Sequence, residues 1–408
     1  EHRYADPTGA WVQKAETRVY AQDAEVSQFA AEDRNTSADR TRDNRYRQNV
    51  RGASALLESN FGGAMDHRLS YGLDLSRTEI TGVRDGTVPP FGETFPTKPF
   101  PNTRYTLAGV FVQDEIEAGQ FSVIPGLRFD HYKLAPSSKG YTGGEAVTLS
   151  DQAVTPRLGA VWRLNPAFTP YAQWAQGFRA PTPDQVNNGF TNLASFYRSI
   201  GNPNLKAERA NSIEIGVRSR IGALRWSAAA FDNRYRDFIS QQVVGGRATA
   251  SDPTVFQYVN LANARIRGVE LRGEWQIDAR WSMNGGAAYT RGTTESNSTS
   301  APLDTIEPMR VVLGVRYGSG AVAFNATALH SQSKATSRTN PIPTNTGTTP
   351  AYAPASHTVL DLGASWKPLP NLTLIANLNN VFDRTYWRWS DVRGLADNSS
   401  VKDAYTAP

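Results

Sequence analysis

The chain has no cysteine, three methionines and five histidines, and only eight of its 43 basic residues are lysine. Without cysteine there are no disulfide frameworks, thiolate metal sites or cysteine nucleophiles. That absence does not by itself point to the cytosol, because envelope proteins also do without cysteine. No stretch approaches the ~18 apolar residues of a spanning helix, and mean hydropathy is −0.48. Signal-peptide and lipid-anchor patterns are also missing, as expected of a mature chain or a fragment. The net charge is +5, but the basic residues are spread along the chain and form no block interleaved with aromatics. Nucleic-acid binding is therefore not expected. A length of 408 residues suits two or three ordinary domains or one large barrel.

What is present is a period of two. Leu69, Tyr71, Leu73 and Leu75 alternate with Arg68, Ser70, Gly72 and Asp74. Val269, Leu271, Trp275 and Ile277 alternate with Glu270, Arg272, Glu274 and Gln276. About 15 such segments predict strands, many of them far longer than the roughly 5–6 residues usual in soluble proteins. The connections alternate in length as well. Short ones fall at 60–66, 117–120, 165–167, 222–223, 278–280, 318–320 and 367–371. Long polar or Gly/Pro/Thr-rich ones fall at 35–43, 81–102, 134–150, 177–209, 241–253, 292–306 and 333–354. Segregation of this kind is expected of a transmembrane barrel, with tight turns on one rim and long extracellular loops on the other. A sandwich or propeller gives no reason for it. Trp162, Trp226, Trp275, Trp281 and Trp366 all lie near short turns, as in an interfacial aromatic girdle.

The expected fold is therefore all-β, a transmembrane antiparallel β-barrel, with residues 1–408 as one partial barrel domain bearing long extracellular loops. The odd strand count and a last strand at 372–378 predict an incomplete barrel. An open edge in lipid would cost several kcal/mol per unpaired group.

Three segments resemble the barrel of TonB-dependent outer-membrane receptors. The first is Gly201-Asn202-Pro203-Asn204-Leu205-Lys206-Ala207-Glu208, followed by Ile213-Glu214-Ile215-Gly216. The second is Asn260-Leu261-Ala262-Asn263-Ala264 with Gly268-Val269-Glu270-Leu271, and the third is Asn377–Asp383 with Tyr386. The resemblance implies roughly strands 7 to 21 of a 22-stranded barrel, with the plug and its TonB-binding segment outside this sequence. Phe178-Arg179-Ala180-Pro181 together with Asn202-Pro203-Asn204-Leu205 is similar to the FRAP and NPNL boxes of haem and haemoglobin receptors. That subfamily places a haem-ligating histidine between the boxes, and this chain has none there. Tyr197 is the candidate iron ligand instead, since tyrosinate can hold ferric haem. Arg198 is placed to pair with a propionate or to favour the phenolate. Arg179 and His357 complete the candidate ligand-binding set.

Strand register assigns His67, His131 and His330 to the outward face and His357 to the lumen, below a long loop. Carboxylates such as Glu214, Glu270 and Glu274 sit beside Arg218 and Arg272, as in a salt-bridged wall. Nucleotide-binding loops, a calcium loop and a Ser-His-Asp arrangement are not found. The resemblance implies a transporter and not an enzyme, with haem as cargo and no catalytic cofactor. Its expected partners are haem or a haemoprotein, TonB with ExbB and ExbD, and outer-membrane lipid. A ferric-siderophore receptor of the same fold is the first alternative, and a passive porin or adhesin barrel the second.

Overall fold

Alternation of apolar and polar side chains is satisfied by long antiparallel strands with one face of each kind. The computed structural model describes every residue except 90–93, 193–195, 248, 250, 297–298, 345–346 and 408. Among the described residues, fifteen strands of seven residues or more run at Lys14–Glu32, Arg40–Phe61, Asp66–Gly86, Asn102–Ala118, Phe121–Ser137, Leu149–Trp162, Thr169–Arg179, Glu208–Ile221, Leu224–Gly245, Thr254–Gln276, Trp281–Ser296, Arg310–Ser319, Val322–Ser331, His357–Leu369 and Leu372–Leu378. The expected number of strands, the last strand and the short turns between them are all present.

The chain divides into two units. In the first, strands from Lys14–Glu32 to Phe121–Ser137 form an antiparallel meander with unbroken pairing across Arg40–Phe61 and Asp66–Gly86. One short parallel pairing joins Tyr197–Ile200 to Thr254–Gln257. In the second, the meander runs from residue 263 of Thr254–Gln276 through Trp281–Ser296, Arg310–Ser319, Val322–Ser331 and His357–Leu369 to Leu372–Leu378.

Strands reach further into the long connections than alternation predicts. Asp66–Gly86 continues past residue 81, and Leu224–Gly245 past residue 241. These extensions carry polar residues on both faces, so apolar periodicity cannot reveal them. The first of them is held by ladder pairing of residues 81–86 with residues 42–47.

The faces separate as expected. Leu73, Leu75, Val110, Leu127, Val269, Leu271, Leu313, Leu362 and Trp366 are exposed on the apolar face. Trp162, Trp275, Trp281 and Trp366 are 39–52% exposed near the short turns. His131 shares the face of Leu127 and Phe129, and His67 stacks on Phe61 while its Nδ1 meets Asp114 at 2.7 Å. The charged face corrects one expectation. Glu270 pairs with Arg272 at 3.0 Å, but Glu214 accepts from the Tyr171 hydroxyl while Arg218 lies over the Tyr171 ring.

After Leu378 the chain is folded, not a bare loop. Trp389 and Val392, on a short helix Trp389–Val392, are 2% and 0% exposed.

Candidate functional site

The long connection between Thr169–Arg179 and Glu208–Ile221 is built on its own small core. Thr182 caps a five-residue helix, Pro183–Asn187, and its backbone N–H donates to Gln185 Oε1 at 3.0 Å. Ala180, Val186, Leu205 and Ala207 then pack with Tyr132, Leu134 and Ile239, with Phe178 and Tyr258 at the margin. Leu205 is 2% exposed and Val186 1%. Both boxes, at 178–181 and 202–205, thus meet in one apolar cluster. Full burial of one such side chain contributes ~1.5–3 kcal/mol.

Polar ties fix the same region to the strands. Arg179 donates from Nε and Nη2 to Glu208 at 2.5 and 2.7 Å, and Glu208 Oε1 also accepts from the Ile239 backbone at 2.7 Å. The Asn202 side chain donates to the Tyr258 carbonyl. Asn260 both accepts from Lys206 N–H and donates to the carbonyls of Lys206 and Asp237. At Gly201 a Cβ would come within 2.5 Å of the Val186 carbonyl oxygen, so the close approach requires glycine there. Arg179 therefore has its guanidinium committed to Glu208 and sets the frame of the loop.

Tyr197 begins the short strand Tyr197–Ile200, which pairs with Gly189–Asn192; the tip between them, 193–195, lies outside the described residues. The tyrosine is half-buried, edge-on to Phe256 with centroids 5.9 Å apart. Before it, Phe196 has φ +55 and its carbonyl accepts from Thr254 N–H at 2.7 Å. Arg198 is exposed. Successive strand residues point to opposite faces, so Arg198 is directed away from the Tyr197 phenol.

His357 belongs to the second unit and is described by itself. It lies on the face opposite Leu362 and Trp366, as expected, but is only 8% exposed. Tyr386 stacks on it at 4.4 Å, within a cluster of Val359, Tyr386 and Ala407. The Tyr386 ring covers one face of the imidazole. That cover joins residues 29 positions apart and has no periodic signal.

Sequence reasoning also missed a cationic cavity of about 640 Å³ in the second unit, lined by Arg265, Arg267, Tyr289, Arg291, Lys334 and Arg338 among others. Arg291 and Arg338 both donate to the Tyr289 hydroxyl at 2.7 Å. Lys334 is buried, donates to the Ile306 carbonyl at 2.6 Å and lies 4.4 Å from the Trp389 ring centroid. Burial pushes its ammonium pKa down from the ordinary lysine value. The signal available in the sequence was the arginines at 265, 267 and 291 flanking an apolar alternation. Among the described residues no three His, Asp or Glu side chains gather to hold a metal ion.

Comparison with known proteins adds a family model, curated relatives and solved structures. A family model described as "TonB dependent receptor-like, beta-barrel" matches residues 1–381. The hemoglobin-haptoglobin utilization protein B of Neisseria meningitidis (serogroup A) is 26% identical over 269 residues, covering 60% of this chain and 33% of that protein. The heme/hemopexin utilization protein C of Haemophilus influenzae (strain Rd) is 25% identical over 392 residues, covering 88% of this chain and 50% of that protein. This chain thus spans between a third and a half of these curated relatives. Among solved structures, copper transporter OprC superposes with a TM-score of 0.72 at 19% identity, covering 94% of this chain and 59% of that one. The Serratia marcescens hemophore receptor HasR, solved with its hemophore and heme, gives 0.70 at 17% identity, covering 94% and 62%. At these identities the structural likeness shows the fold.

Proposed function

The chain belongs to the TonB-dependent receptor-like β-barrel family, and from that premise we propose that it is the barrel portion of an outer-membrane receptor importing haem or haem-protein-derived iron. The observation behind this reading is the union of the two boxes. Phe178–Pro181 and Asn202–Leu205 share one core and are tied by Arg179 and Glu208. Their combination is what resembles haem receptors, and the names of the relatives point the same way.

On this reading no bond of the cargo is made or broken. The packed loop is a rigid platform that presents the Tyr197–Ile200 strand, with Tyr197 as ligand to ferric iron and Arg198 as partner to a propionate. Arg179 positions the platform, and His357 meets cargo once Tyr386 moves. Haem is transported, not retained as a cofactor. The outer membrane has no ATP, so transport draws on the inner-membrane proton-motive force through TonB with ExbB and ExbD. Among the described residues no helix is long and apolar enough to cross a membrane; on this reading crossing is by strands, whose exposed apolar faces meet lipid.

A ferric-siderophore receptor is the second reading, favoured by the lack of histidine between the boxes. Growth separates the two. A strain whose only outer-membrane iron receptor is the full-length protein should grow on haem as sole iron source and stop when TonB is deleted. Growth on ferric siderophores but not on haem overturns the haem reading. TonB-independent growth overturns the energised mechanism.

A further inference from the structure

The strand Leu224–Gly245 outruns its neighbour. It follows Glu208–Ile221 across the two-residue turn at 222–223 and has 22 residues against that strand's 14. Its last eight residues therefore pass beyond the antiparallel partner on that side. On the other side lies Thr254–Gln276, with Gly246 packed against Pro253 and Thr254. Residues 254–257 also pair with Tyr197–Ile200, which pairs in turn with Gly189–Asn192. These pieces belong to the first unit and make one small sheet at the end of the long connections. Tyr197 stands inside that sheet, and residues 241–245 form its edge.

Such an edge is ordinarily defended. Its row of N–H and C=O groups is a template for another strand, and proteins blunt it with lysine, proline, bulges or a covering segment. Residues 239–246 contain neither a charge nor a proline. Residues 241–247 are all exposed, with Val243 at 56% and Val244 at 46%. Beside them in the same sheet, Phe196 is 43% exposed and held at φ +55 by the bond its carbonyl accepts from Thr254 N–H. That conformation is costly for a bulky side chain, and such strain gathers where a surface is built to meet something. Arg236 and Arg247 bracket the edge and are exposed, with Arg247 3.7 Å from Asp252. A fitting strand is thus apolar at its centre and acidic at its ends.

We propose that residues 241–245 receive an extended strand from the protein that carries the cargo, adding it to the sheet that presents Tyr197. Main-chain hydrogen bonds give strand addition its affinity, and alternate side chains give it selectivity. Val243 and Val244 point to opposite faces, so the added strand has an apolar neighbour on each. It lies three strand spacings from Tyr197–Ile200, roughly 14 Å, which brings the carrier's cargo within reach of Tyr197. A second copy of this chain is the poorer occupant. Receptors in one membrane stand the same way up, so their edges run parallel, whereas antiparallel pairing is the more stable per residue.

The inference rests on the proposed reading of Tyr197 as a cargo contact, so the test uses carriers without cargo. Detergent-solubilised full-length receptor is mixed with haem-free haemopexin, an all-β carrier, or with apoglobin, an all-helical one, and amide exchange is followed. Haemopexin should bind and protect alternate amides across residues 241–245, and apoglobin should not. V243K and V244K put charge on the edge at exposed positions. Each should weaken haemopexin binding about fivefold, the worth of one cross-strand pair, while V243T and V244T should retain it. Soret titration with free haem reads the underlying proposal on its own. A parent without a shifted band sinks the haem reading and leaves the exchange result standing; a shifted band without protection at 241–245 overturns strand addition alone. Failure of haemopexin to bind, or binding unchanged by both lysine variants, also overturns it. Protection of 241–245 in concentrated receptor without any carrier overturns it in favour of a second copy.

Discussion

The connection at 180–207 and the C-terminal stretch after Leu378 are both long, non-repetitive and rich in polar residues, yet they are held by different physics. The first has an aliphatic core around Leu205 and Val186, reinforced by the two-pronged Arg179–Glu208 pair. The second is held by faces of rings: His357 on Tyr386 at 4.4 Å, Lys334 over Trp389 at 4.4 Å, Tyr352 against Trp387 at 5.7 Å and Lys402 over Tyr352 at 5.1 Å. Interdigitated aliphatic cores resist deformation, whereas single ring contacts are individually modest. The first region is therefore a frame and the second a cover over His357. On the proposed reading, the first presents contacts to cargo and the second moves.

That contrast can be broken in four places. Leu205→Ala should do the most damage, about 2–5 kcal/mol of local stability through the cavity it leaves, read as lost amide protection across residues 180–207 in hydrogen exchange. Glu208→Ala should cost about 2–3 kcal/mol, since it strips a charged acceptor from Arg179 and orphans the Ile239 N–H. Arg179 is half exposed and recovers part of its solvation, which keeps this effect below that of Leu205. Protease cleavage within 180–207 should rise in proportion. Tyr386→Ala should cost about 1 kcal/mol beyond lost burial. Its clearer signature is rapid diethylpyrocarbonate modification of His357, which is slow in the parent. Trp389→Leu keeps an apolar side chain but removes the ring beneath Lys334, worth about 0.5–2 kcal/mol of cation–π attraction, together with the indole N–H that donates to the Asp304 carbonyl. Protection confined to residues 380–407 should report it. Equal loss of protection in both regions from any one of these variants would erase the distinction between frame and cover.

How much was legible in the sequence follows from the same physics. Strands are written in local alternation, so Leu372–Leu378, the turn at 222–223 and the inward register of His357 could all be read from residues two apart. The polar extension of Asp66–Gly86 could not, because residues 81–86 carry polar side chains or glycine on both faces and so have no apolar period. Register alone suggested that Glu214 pairs with Arg218; the Tyr171 ring that separates them comes from another strand. The candidate site was legible only in part. The box resemblance pointed to residues 178–181 and 202–205, but not to their shared core, which draws on Tyr132 and Ile239 from strands distant in sequence. The stacking of Tyr386 on His357 was equally hidden. Arg51 and Arg77 looked like scattered surface charge until pairing set them opposite one another.

The most direct test of the central claim is a spectral titration of the full-length receptor with ferric haem, parent and Tyr197→Phe side by side. The account predicts a shifted, saturable Soret band for the parent and an altered ligand signature for the variant. A Soret band that stays at the position of free haem at every receptor concentration would contradict it.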